Sequence, residues 1–186
     1  MAATELNSTP RLLQWARVAI TTYTGLWTIT LTAAAATRLA GPALARPARR
    51  LLGLTLTAGQ NPPASVGHAL QIGAHNLPVA AWPLLLGLTA PPRTQTGRAA
   101  TDALVTASAL ANTLPLGAAL GAYGSALIGY VPQLPLEWAA LAVGYGSWRM
   151  QRHTPLRGHE RLLALASIAI TLAAAAAIES WCVPHR

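Results

Sequence analysis

Apolar residues fall into five blocks, separated by breaks rich in Pro, Gly and Arg. The first, VAITTYTGLWTITLTAAAATR at 18–38, is long enough to cross about 30 Å of hydrocarbon as a helix. It predicts a membrane span with threonines that bond back to helix carbonyls or across to a neighbour, and with Arg38 snorkelling at its end. Residues 39–65 carry Pro42, Pro47, Pro62 and Pro63, so no long helix is expected there. The apolar piece within 43–60 is too short to span and reads as an interfacial segment.

The second block, 66–89, contains His68, Gln71, His75 and Asn76, then Pro78 and Pro83. A span this polar needs protein neighbours for its freed backbone groups, and its prolines predict a broken helix. The third block, 101–130, would be roughly 45 Å long as one helix, which predicts a tilt, a break near Pro115 or an end outside the membrane. Asp102 is expected to open it as a first-turn acid. The fourth block, 134–148, reaches only about 22 Å and reads as a short or re-entrant helix. Pro135 suits its first turn, and Glu137 is favoured there by the helix dipole. A basic loop with Arg149, Arg152, His153, Arg157, His159 and Arg161 follows. The fifth block, 162–182, has Glu179 near its end, where a surface position is expected. Residues 1–14 read as a polar interfacial or loose segment.

Composition agrees with lipid as the solvent. Of 186 residues, 53% are hydrophobic and 10% charged, against about 25% charged in ordinary soluble domains. The net charge of +8 comes from arginine alone. The arginines lie at block ends rather than in a stripe with interleaved aromatics, which excludes nucleic acid as the expected partner. Placed on alternate sides, eight lie with the N-terminus and five opposite, which predicts a cytoplasmic N-terminus. The 18–36 run exceeds the apolar region of a signal peptide and is read as a retained helix. Cys182 is the single cysteine, so neither an intrachain disulfide nor a cysteine metal cluster is expected.

The ordered set ALQIGAHNLPVAAWPLLLG, ANTLPLGAALGAYGSAL and YVPQLPLEWAALAVGYGSW resembles the stage II sporulation protein M family of integral membrane proteins. That family pairs an Asn-containing second helix with a Gly-rich third helix and a Pro-x-x-x-x-Glu segment, matched here by Pro132 to Glu137. The resemblance covers about 66–150. Pro132-Gln133-Leu134 stands where the family has Pro-His-Gly. Trp138 stands where it has Leu. The resemblance implies a multi-span component of a membrane or envelope assembly.

Ionisable groups inside a membrane are costly and mark candidate sites. Glu137 leads, with His75, Asn76 and Asn112 as candidate partners. Gly117, Gly121 and Gly124 form a small-residue face for helix packing. His68 and His75 are too few for a metal site, and no metal or other cofactor is expected. No Ser-His-Asp spacing, H-E-x-x-H, paired acids or phosphate loop is present, so catalysis is not expected.

The reading is therefore an all-α polytopic membrane protein, one domain over 1–186 with about five segments. It is expected in a bacterial cell membrane as a non-catalytic scaffold. Its expected partners are the lipid bilayer, other membrane or envelope proteins and further copies of itself. The alternative is a permease subunit or small transporter with a polar site between broken helices.

Overall fold

The computed structural model describes residues 9–47, 50, 64–88, 94–129 and 131–182. Among them every regular element is helical. The helices are α1 (Thr9–Leu39), α2 (Val66–Leu86), α3 (Gln95–Tyr123), the single turn α4 (Ser125–Ile128), α5 (Leu134–Gln151) and α6 (Gly158–Cys182). The five long helices alternate in direction. We call the end where α1 begins proximal and the other end distal.

The centre of the bundle is α5, which packs against α1, α2 and α6, while α3 lies along α1. The fourth block is therefore central. It is the helix the others enclose, and from Ala140 to Ser147 only Val143 escapes full burial. Small residues make this enclosure possible. A side chain at Gly144 would overlap the Ala80 carbonyl of α2, and one at Gly146 would press on the Val18–Ala19 backbone of α1. Large residues fill what remains: Trp138, Leu141, Tyr145 and Trp148 join Leu26, Leu84, Ile168 and Leu172 in the core. Trp27 of α1 meets Trp138 edge-on with ring centroids 6.5 Å apart.

Side-chain hydrogen bonds tie the helices together. Trp15 donates to Ser147 at 3.0 Å, Trp138 to Thr30 at 3.2 Å, and Gln151 to the Leu84 carbonyl at 3.2 Å. Ser108 joins Tyr145 at 3.0 Å and receives the Trp82 indole N–H at 3.3 Å. The threonines of α1 mostly bond backwards, as Thr22 does to Val18 at 2.8 Å and Thr28 to Thr24 at 2.8 Å. Each satisfies its hydroxyl within its own helix.

Several expectations need correction. The segment before residue 15 is not loose from Thr9 onward, because α1 already runs there and Arg11 pairs with Glu160 at 3.3 Å. The prolines do not break their helices: α2 continues through Pro78 and Pro83, and α3 through Pro115. Each proline removes one backbone bond, yet the surrounding packing holds the helical path. Asp102 does not open α3. Thr94 caps that helix by accepting from Gly97, and Asp102 lies two turns in, where Arg152 meets it at 2.7 Å. Of the interfacial segment at 43–60, only 43–47 and 50 are among the described residues.

Two of the described helices, Gln95–Tyr123 and Gly158–Cys182, are long and apolar enough to cross a membrane. Length and composition thus mark α3 and α6, not all five blocks. Only 22% and 28% of their apolar windows are buried inside the protein, so most of that apolar surface faces outward. A core helix of a water-soluble domain would show the reverse.

Candidate functional site

The distal end of α5 opens into a cavity of about 610 Å³. Three helices supply its polar wall. From α2 come His68, Gln71, His75 and Asn76, from α5 Glu137, and from α6 Glu179, with Gln133 just before α5. Leu116 of α3, Ile72, Val131 and Leu134 form the apolar remainder.

Local structure explains these positions. Ser65 caps α2 by accepting the His68 N–H at 3.1 Å, which starts the helix where His68, Gln71, Ile72, His75 and Asn76 follow at helical spacing. Pro135 sits in the first turn of α5, and Gln133 is its N-cap residue. Glu137 therefore enters the helix near its positive end, with its own N–H bonded to the Gln133 carbonyl at 3.2 Å. Glu179 lies one turn from the end of α6, beside Ser180, whose hydroxyl reaches the Ser65 carbonyl at 3.4 Å.

Asn76 donates to Glu137 Oε1 at 3.1 Å. This joins two of the four polar residues singled out in the sequence. Asn76 does not cap a carbonyl freed by Pro78; it reaches across to α5. His75 lines the same cavity but is exposed. Asn112 stands apart: its amide bonds back to the Ser108 carbonyl at 2.8 Å, and it is not part of the cavity wall. Glu179, expected at the surface, is half-buried and faces the cavity. Gln71, Gln133 and Glu179 are site residues that sequence spacing did not bring forward.

Gly117 and Gly121 lie against α1. A Cβ on Gly117 would overlap the Thr30 carbonyl and Ala33; on Gly121, the Ala34 carbonyl and Thr37. Gly124 does not belong to that face. It ends α3 with φ of 58°, and among the described residues nothing lies within 4 Å of where its Cβ would be.

The acids divide sharply between the two ends. At the proximal end Glu160 meets Arg11 and Asp102 meets Arg152. In the cavity neither Glu137 nor Glu179 has an arginine partner among the described residues. Two buried polar atoms beside them, Gln133 Oε1 and His68 Nδ1, also lack a hydrogen-bond partner among the described residues. Among the described residues no three His, Cys, Asp or Glu groups converge to hold a metal ion. No protein-family model, curated protein or solved structure matches this chain.

Proposed function

We propose that this chain is a multi-pass protein of a bacterial cell membrane, acting as a non-catalytic component of a membrane or envelope assembly through the Glu137 cavity. The observation that carries the reading is the inverted distribution of polarity. Leu70, Leu162 and Ile170 are roughly two-thirds exposed, whereas Thr30, Thr113, Ser147 and Ser180 are fully buried. A protein in water does not gain from that arrangement; one in lipid does.

In this reading α1, α2 and α5 cross the membrane with α3 and α6. The threonines of α1 bond back to its own carbonyls, and a helix enclosed by others, as α5 is, need not be as apolar as one facing lipid. The resemblance to the stage II sporulation protein M family supports the assembly role, since its Asn and Glu motifs correspond to Asn76 and Glu137. A permease reading is favoured by one observation, the volume of the cavity, which lies within the range of small-molecule sites.

The test is cross-linking with mass spectrometry on protein purified from its native membrane, comparing wild type with Glu137→Ala. Envelope or membrane proteins captured by wild type and lost in the variant support the assembly role. An identical set in both, or none in either, sinks it and makes flux in liposomes the next assay.

A further inference from the structure

We infer that the distal cavity binds an organic cation with N–H donors, an ammonium or guanidinium group carrying a short hydrocarbon stem. This inference rests on the cavity being the recognition site proposed above, and it names what enters.

The cavity wall carries an excess of acceptors. Asn76 satisfies one oxygen of Glu137. Glu179 has no hydrogen bond or ion pair among the described residues. Gln133 is 7% exposed, lines the cavity, and leaves its Oε1 without a donor. Buried acceptors normally find partners, and buried carboxylates normally find counter-charges. Among the described residues no arginine lines the cavity, although the two proximal acids each have one. His68 and His75 are the other groups of the lining able to carry positive charge, and neither imidazole hydrogen-bonds an acid among the described residues; the complement is positive and rich in donors.

Geometry then selects among cations. A bare metal ion needs ligands converging within about 2–2.6 Å of one point, and no such group exists among the described residues. The acceptors instead lie around a space of about 610 Å³, which suits several N–H groups spread over a larger cation. Ile72, Leu116, Val131 and Leu134 supply apolar wall for the carbon stem. The same head-and-stem chemistry occurs in a free alkylamine and in an Arg or Lys side chain of a partner.

The test uses the full chain in lipid nanodiscs, followed by its thermal unfolding midpoint. Butylammonium and ethylguanidinium are the probes. Tetramethylammonium, which has charge but no N–H, and sodium are the controls. The expected result is a saturable rise with either probe and none with the controls. Glu137→Gln, which keeps an oxygen for Asn76, and Glu179→Gln should each weaken the response about tenfold. No saturable rise, an equal rise with tetramethylammonium, or full response in the doubly substituted protein would overturn the inference. The wild-type comparison of probes decides the matter even where a variant fails to fold.

Cross-linking in native membranes then separates the two sources. Captured proteins released by excess butylammonium support a partner's side chain; an unchanged set, with probe binding intact, supports a free amine. Failure of the two readings also differs in appearance. Partners lost in Glu137→Ala without any cation response leaves the assembly role and removes the cation. A cation response without partners does the opposite.

Discussion

Asn76 and Glu137 lie 61 positions apart, yet the amide of one donates to the carboxylate of the other at 3.1 Å. The contact fixes the distal halves of α2 and α5 relative to each other. Interhelical hydrogen bonds in membrane proteins contribute about 0.6 kcal/mol on average and about 1.7 at most. A double-mutant cycle with Asn76→Ala and Glu137→Ala, read by unfolding in mixed micelles, should give coupling in that range. Strictly additive losses would place the two groups out of contact.

The α1–α3 seam depends on the absence of side chains at two places. Gly117→Leu and Gly121→Leu should each destabilise by about 1–3 kcal/mol, the usual range for overpacking, because backbone carbonyls of α1 occupy the space. Gly129→Ala, with nothing within 4 Å of the new methyl, should change stability little. A seam that tolerates Leu as well as Gly129 tolerates Ala would disprove the close approach.

Gly124→Ala tests a different property. There is room for the methyl, but φ of 58° disfavours an L side chain by about 1–2 kcal/mol. The expected loss in the same unfolding assay is therefore of that order, without the α1–α3 separation that Gly121→Leu brings. An inter-helix distance measurement by paired spin labels on α1 and α3 separates the two effects.

At the proximal end, Glu160 should matter more than Asp102. Glu160 is buried, accepts the Arg157 N–H at 2.7 Å and faces Arg11. Asp102 and Arg152 are only partly covered, and such pairs contribute about 1 kcal/mol or less. Glu160→Ala should cost about 1–3 kcal/mol, and Asp102→Ala less. Equal losses would contradict the difference in burial.

The five-span arrangement proposed above predicts opposite sides for the two ends of α5. In a Cys182→Ser background, Thr154→Cys and Gly129→Cys should react with a membrane-impermeant maleimide from opposite faces of sealed vesicles. Labelling of both from one face would leave α5 without a membrane crossing.

The apolar blocks and the proline- and glycine-rich breaks between them are local properties, so the order of helices was legible along the chain; the caps at Ser65 and Thr94 were not read from it. The small-residue face at Gly117 and Gly121 was legible too, because i and i+4 share a side of any helix. Tertiary structure decided the rest. Pro78, Pro83 and Pro115 read as breaks, but packing across the bundle outweighs one lost backbone bond apiece. The central position of the fourth block was not legible because length says nothing of what surrounds a helix; Gly144 and Gly146 place it at the centre by letting α2 and α1 approach. Glu179 read as a surface residue and Asn112 as a partner of Glu137. Which acid meets which amide depends on the rotation of each helix about its axis. That rotation is set by the summed packing of α1, α2, α5 and α6, and no window along the chain contains it.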